Sequence, residues 1–128
     1  MILYITLGSN NLPRARSFYD AVMPILGLQF LRGDAREIGY GPAGAPDPLL
    51  WINTPYNGEP ATIGNGSMPA FTAPSRAAVN ASYAAALTHG GTDEGEPRLR
   101  YSPNFYAAYV RDPDGNKLSA VCIKPDAP

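Results

Sequence analysis

The sequence predicts an α+β fold built from two βαβββ modules. The chain has 128 residues, which is the size of one ordinary domain. Patterns typical of strands and helices occur in the order strand, helix and three strands, and this order occurs twice. The connection between the halves is rich in Pro, Gly and Asn, and neither half is large enough to bury a core alone. We therefore expect one domain over residues 1–128, with modules at roughly 1–56 and 67–124.

The first module begins with a β-branched and aliphatic run over residues 2–7. The polar residues 9–11 then offer N-cap side chains for a helix that begins near Pro13. Apolar residues recur along this helix at i, i+3, i+4 and i+7: Leu12, Ala15, Phe18, Tyr19, Val22, Met23 and Leu26. Pro24 should kink or end the helix, and Gly27 fits the position after its end. Three further strands are predicted at residues 28–32, 36–40 and 48–53.

The second module repeats this order. A strand is predicted at residues 68–72, and Pro74 and Ser75 are start signals for a helix. Its apolar stripe consists of Val79, Tyr83, Ala86 and Leu87, and the helix ends at two glycines, Gly90 and Gly91. We expect a polar loop at residues 92–97 and a short edge strand at 99–101. Arg98 and Arg100 alternate with Leu99 there, either as charges that discourage unwanted pairing or, for Arg100, as an anion-binding group.

The clearest local signal is a hairpin over residues 105–124. Two β-rich runs, residues 106–111 and 117–123, flank the turn-forming sequence DPDGN at residues 112–116. Directly opposed residues of an antiparallel pair share a face of the sheet. The predicted pairs are Arg111 with Lys117, Tyr109 with Ser119, and Ala107 with Val121.

Composition narrows the range of functions. The formal net charge of −1 offers no polycationic surface for nucleic acid. The apolar runs are far shorter than the roughly 20 residues that span a bilayer. Cys122 is the one cysteine in the chain, and its place in an apolar strand predicts a buried thiol that forms no internal disulfide. We therefore expect a cytoplasmic protein that binds neither nucleic acid nor membranes.

Three stretches together resemble the glyoxalase/bleomycin-resistance/dioxygenase superfamily, also called vicinal oxygen chelate proteins. They are the first strand with SNNLPRARSFYDAVMPILG, the helix APSRAAVNASYAAALTHGG, and the hairpin YAAYVRDPDGNKLSAVC. The resemblance covers nearly the whole chain. It implies that the two modules curve into an eight-stranded cup whose concave side is the active site, and that the protein is a homodimer.

The same resemblance argues against a metal. In metal-dependent relatives, ligands stand on the first, fourth, fifth and eighth strands, and these positions correspond here to Tyr4, Trp51, Met68 and Ser119. A catalytic divalent ion usually takes at least three ligands from His, Asp, Glu or Cys. The chain has one histidine, His89, which lies where a helix should end. We therefore expect no metal and no cofactor.

The remaining candidate site is a cup lined by aromatic and small polar residues. The predicted ligand-binding residues are Tyr4, Thr6, Trp51, Asn53, Met68, Tyr109 and Ser119. One hypothesis is metal-free binding of a small apolar or aromatic molecule, as in bleomycin-resistance sequestration. The alternative is a lyase or isomerase of the lactoylglutathione lyase type, or a related dioxygenase-like enzyme, with Tyr4 or Tyr109 as proton donor. A third reading is an interaction module whose cup is filled by its own side chains.

Overall fold

The computed structural model describes residues 1–125 and confirms the predicted α+β class. Both modules contain one helix and four strands in the order strand, helix and three strands. In chain order the elements are β1 (Ile5–Gly8), α1 (Leu12–Val22), β2 (Gln29–Gly33), β3 (Glu37–Gly41), β4 (Leu50–Asn53), β5 (Ala70–Thr72), α2 (Arg76–Thr88), β6 (Thr92–Leu99), β7 (Tyr106–Arg111) and β8 (Lys117–Cys122). In this described part of the chain, neither helix is long and apolar enough to cross a membrane.

The two sheets have the same topology. The strand order is β1-β4-β3-β2 in the first and β5-β8-β7-β6 in the second. In each sheet the module's first and last strands are parallel neighbours, and the other pairs are antiparallel. Within residues 1–125, no strand of one sheet pairs with a strand of the other. The repeated topology supports a structural duplication.

Both helices begin and end where the sequence predicts. Asn11 caps α1 by accepting a hydrogen bond from the backbone of Arg14 at 3.0 Å. The α-helix ends at Val22, and Pro24 lies in a short 3-10 turn that is closed by Gly27 at φ 86°. Ser75 caps α2 in the same way. At the other end His89 is the C-cap, as predicted, with its Nδ1 2.9 Å from the carbonyl oxygen of Ala85.

The core lies where each helix covers one face of its own sheet and the two helices pack against each other. Its largest fully buried side chains include Phe18, Tyr19 and Tyr40 from the first module and Val79 and Cys122 from the second. The sheet faces that carry these residues point toward the helices. The opposite faces of both sheets carry no helix, and most of the candidate site residues lie on them; Ser119, however, is buried at 3% exposure.

The hairpin register is confirmed in full, but the sixth strand is not as predicted. Arg111, Tyr109 and Ala107 pair with Lys117, Ser119 and Val121. Residues 92–97, expected as a loop, belong to β6, which runs over Thr92–Leu99. Its pairing with β7 is interrupted twice by irregularities, and it is an edge strand, so polar residues and Pro97 are tolerated there.

Strand ends differ by one to three residues elsewhere. β1 begins at Ile5 rather than at residue 2, β4 at Leu50 rather than 48, and β5 at Ala70 rather than 68, while β8 ends at Cys122. Cys122 is a free, buried thiol, as expected.

Candidate functional site

A pocket of about 530 Å³ opens on the exposed face of the first sheet. All its lining residues come from the first module: Leu3, Tyr4, Thr6, Arg32, Glu37, Asp47, Pro48, Trp51 and Asn53. We call this surface the Trp51 face. Four of the seven predicted ligand-binding residues, namely Tyr4, Thr6, Trp51 and Asn53, therefore line one pocket.

Strand register brings these side chains together. Trp51 on β4 lies between Thr6 on β1 and Gly39 on β3. A Cβ atom on Gly39 would lie 2.5 Å from Cγ of Pro48 and 2.8 Å from Cζ3 of Trp51. Because no side chain fits there, glycine leaves space for the indole ring to cover the sheet.

Three charged residues of this pocket were missed by sequence reasoning. Arg32 donates to the Asp47 carboxylate at 3.0 Å and lies with its guanidinium carbon 5.6 Å from the Trp51 ring centroid. Glu37 is paired in register with Asn53. Alternation along β3 from Gly39 would have placed Glu37 on this face, whereas Asp47 lies in a loop that carried no such signal.

The second sheet presents a comparable face, which we call the Tyr109 face. It comprises Tyr109 and Ser119, which are paired in register, together with Arg100, Tyr101 and Lys117 around the Tyr109 ring. The Ser119 hydroxyl donates to the carbonyl oxygen of Ala108 at 3.1 Å. Met68, just before β5, is partly exposed.

The phenol of Tyr109 is held in its protonated form. Partial burial raises its pKa above the ordinary value of 10.0, and a hydrogen bond to Tyr101 raises it further, against smaller opposing effects of Arg100 and Ser119. At neutral pH the Tyr109 hydroxyl is therefore a hydrogen-bond donor or acceptor rather than a phenolate.

A single copy does not unite the two faces. Met68, Tyr109 and Ser119 are absent from the lining of the Trp51 pocket, and the strands of the two sheets are not hydrogen-bonded to each other in residues 1–125. The modules instead meet through their helices and through the β7–β8 turn. The seven predicted ligand-binding residues thus form two groups in one chain.

Comparisons with known proteins identify the family. The model of the Glyoxalase/Bleomycin resistance protein/Dioxygenase superfamily matches residues 1–119. A glyoxalase/bleomycin resistance protein from Albidiferax ferrireducens T118 is 38% identical, with 96% of this chain and 98% of that chain covered, and its structure superposes with a TM-score of 0.85. The chain therefore belongs to the Glyoxalase/Bleomycin resistance protein/Dioxygenase superfamily.

More distant solved structures share the fold. A lactoylglutathione lyase from Agrobacterium tumefaciens is 20% identical, with a TM-score of 0.64 and coverage of 95% of this chain and 92% of that one. A fosfomycin resistance protein from Listeria monocytogenes is 16% identical, with a TM-score of 0.67 and coverage of 93% and 89%. No functionally curated protein matches the chain significantly.

The donor atoms at the four positions that the resemblance aligns with metal ligands do not fit a divalent metal ion. Tyr4, Trp51, Met68 and Ser119 offer a phenol, an indole, a thioether and a hydroxyl that is already bonded to the backbone. Catalytic zinc and related ions take imidazole, carboxylate or thiolate ligands. Within residues 1–125, no group of three or more His, Cys, Asp or Glu side chains is arranged to hold a metal.

Proposed function

We propose that this protein binds a small apolar or aromatic molecule, without a metal, in a cup completed by a second copy of the chain. The observation that carries the proposal is the pocket of about 530 Å³ lined by Tyr4 and Trp51. Aromatic surfaces with a few polar groups are typical of small-molecule sites. Sequestration of a drug or toxin, of the bleomycin-resistance kind, is the corresponding biological role.

The geometry of the two faces supports a homodimer. In the proposed dimer each face is half of a cup, and facing the first sheet of one copy with the second sheet of another would place Trp51 opposite Tyr109. Ile2 and Leu3, just before the edge strand β1, are 74% and 77% exposed. Apolar residues beside an unpaired strand edge favour coverage by another chain. We therefore assign the cup to two copies, related by exchange of modules.

The lyase or isomerase alternative has less support. It requires Tyr4 or Tyr109 to transfer a proton near neutrality, and the pKa of Tyr109 is raised rather than lowered toward that range. A thiohemiacetal substrate assay distinguishes the two functions. We expect flat progress curves, and turnover that is lost in Tyr109→Phe would favour the enzyme.

Because Cys122 is a free, buried thiol, we expect the protein to act in the cytoplasm.

Calorimetric titration with naphthalene-1-carboxamide, a neutral aromatic probe, tests the proposal. Trp51→Ala and Tyr109→Ala should each weaken binding about tenfold, since loss of a buried aromatic contact costs roughly 1.5 kcal/mol. Tyr56→Ala is the matched control, because Tyr56 is fully exposed and lies outside the pocket lining.

Tyr56→Ala should bind like the unaltered protein. No binding of the neutral probe, or binding that both aromatic substitutions leave intact, would contradict the proposed function.

A further inference from the structure

Two cations lie beside the ring of Tyr109. The guanidinium carbon of Arg100 lies 4.9 Å from the ring centroid, and Nζ of Lys117 lies 5.6 Å from it. Both side chains are half-buried. Two positive charges beside the same ring make this part of the second sheet electropositive, which a bound anion would stabilise.

Neither cation has a carboxylate partner in the part of the chain that the structure describes. Four of the other arginines are paired with an acid: Arg14 with Asp114, Arg16 with Asp20, Arg32 with Asp47 and Arg111 with Glu94. Arg100 instead donates to two backbone carbonyl oxygens, those of Glu96 at 2.6 Å and Ala107 at 3.3 Å. A guanidinium has five N–H donors, so most of them stay available to a ligand.

Glycine at position 95 leaves the space that Arg100 occupies. Gly95 lies directly opposite Tyr109 in the β6–β7 pair. A Cβ atom at this position would lie 2.9 Å from Nη2 of Arg100 and 2.9 Å from Cδ2 of Tyr109. The φ angle of Gly95 is not in the left-handed region, so the backbone does not demand glycine there. Glycine is required there because a side chain would prevent the close approach of the guanidinium to the phenol ring.

The neighbouring Tyr101 is held in an unfavourable backbone conformation. It is the non-glycine residue with positive φ among residues 1–125, at 58°, a conformation that costs about 1 kcal/mol for an L-residue. Its phenol raises the pKa of Tyr109 and therefore lies near the Tyr109 hydroxyl. The strained residue thus places a second hydroxyl close to that of Tyr109.

Nearby acids of the same chain do not neutralise these cations. Glu94 is bound by Arg111 at 2.9 Å. Asp93 accepts a hydrogen bond from Tyr83 of α2 at 3.0 Å and therefore lies on the helix side. Among the described residues, Glu96 forms no ion pair with Arg100 or Lys117. In the proposed two-copy cup, Glu37 on the Trp51 face of the other copy would be a carboxylate that competes with a ligand.

We propose that Arg100 and Lys117, with the hydroxyl groups of Tyr109 and Tyr101, form an oxyanion subsite, and that the ligand is an aromatic molecule carrying a carboxylate. The carboxylate accepts from the guanidinium, the ammonium and a phenol, while the aromatic part lies against Trp51 of the other copy. This subsite rests on the proposed function, because the Tyr109 face becomes part of a cup only when two copies combine.

The test compares naphthalene-1-carboxylate with naphthalene-1-carboxamide by calorimetric titration, because the two probes have nearly the same shape and differ in charge. The carboxylate should bind at least about tenfold more tightly, as expected for one charge-assisted hydrogen-bond pair. Arg100→Gln and Lys117→Gln should each remove most of this preference, so that the two probes bind within about twofold of each other. Gly95→Ala should also reduce the preference for the carboxylate probe, although it does not change the charge of the protein.

Arg36→Gln is the matched control, since Arg36 is exposed in the first module and its removal changes the net charge equally. It should leave both affinities unchanged. Equal binding of the two probes by the unaltered protein would overturn the oxyanion subsite and leave the proposed function intact. If neither probe bound the unaltered protein, both the oxyanion subsite and the proposed function would be contradicted. If Arg100→Gln dissociated the dimer in sedimentation velocity, Arg100 would be forming an ion pair with Glu37 of the other copy rather than binding a ligand. This result would overturn the subsite.

Discussion

The carboxylate of Asp114 accepts a hydrogen bond from the hydroxyl of Ser9 at 2.6 Å, although 105 positions separate the two residues. The same carboxylate accepts from the backbone of Asn10 and from the guanidinium of Arg14, both at 2.9 Å. Its side chain is 3% exposed. The β7–β8 turn therefore fastens the second module to the start of α1, where a negative charge is also favoured by the helix dipole.

Asp114→Asn should lower the free energy of unfolding by about 1–3 kcal/mol, because it weakens three hydrogen bonds to a buried carboxylate. Urea denaturation measures this as a lower midpoint with an unchanged slope. The matched control is Asp47→Asn. The Asp47 side chain is 75% exposed and bound to Arg32, so this change should cost less than about 1 kcal/mol. Equal losses in the two variants would show that the turn does not join the modules in this way.

The buried bond between Tyr19 and Asp112 predicts weakening of the fold at alkaline pH. The Tyr19 hydroxyl donates to Asp112 at 2.6 Å, and burial and the carboxylate raise its pKa well above 10.0. The unfolded chain releases this proton near pH 10, whereas the folded chain keeps it. The stabilisation is therefore present below about pH 10 and is lost as pH rises further, by up to about 1.4 kcal/mol per pH unit.

Tyr19→Phe should reduce that alkaline slope, measured by urea denaturation between pH 9 and 11. Tyr40, whose pKa is raised by burial and by its bond to Asp20, contributes a second part. The Tyr40→Phe variant should therefore keep the Tyr19 contribution, and the double variant should have the flattest profile. An unchanged slope in Tyr19→Phe would mean that Tyr19 ionises alike in both states.

The donor chemistry of the cup predicts weak metal binding. After incubation with Ni²⁺, Zn²⁺, Mn²⁺ or Fe²⁺ and dialysis, elemental analysis should find far less than one ion per chain. The reason is that Tyr4, Trp51, Met68 and Ser119 offer no carboxylate or imidazole. The His89→Ala variant corrects for adventitious binding at the helix end. Stoichiometric metal that persists in this variant and disappears when Tyr4 or Ser119 is replaced by Ala would contradict the metal-free proposal.

Local signals in the sequence were sufficient for much of the fold. The caps at Asn11 and Ser75, the helix end at Gly27 and the register of Tyr109 with Ser119 all depend on residues close in sequence. The sixth strand was predicted at residues 99–101 and overlaps β6 only at Leu99. Its earlier part was taken for a loop because an irregular edge strand carries no apolar alternation, and Gly95 and Pro97 resemble loop residues.

The site was less predictable because it depends on long-range placement. Asp114 was correctly assigned to the turn, but its bonds to Ser9 and Arg14 involve residues at the other end of the chain. Likewise, the sequence contains no information on which of the predicted site residues lie on the same sheet face. Tyr4 and Trp51 line one pocket, whereas Tyr109 lies on the other sheet.

Subunit complementation tests the two-copy cup most directly. Trp51→Ala and Tyr109→Ala chains are unfolded together, refolded in equal amounts, and titrated with naphthalene-1-carboxamide. If each cup combines the Trp51 face of one copy with the Tyr109 face of the other, each mixed dimer contains one intact cup. Random pairing then restores native affinity to about a quarter of the cups. If each cup is formed within one chain, no intact cup can arise, and binding that stays as weak as in the separate variants would contradict the account.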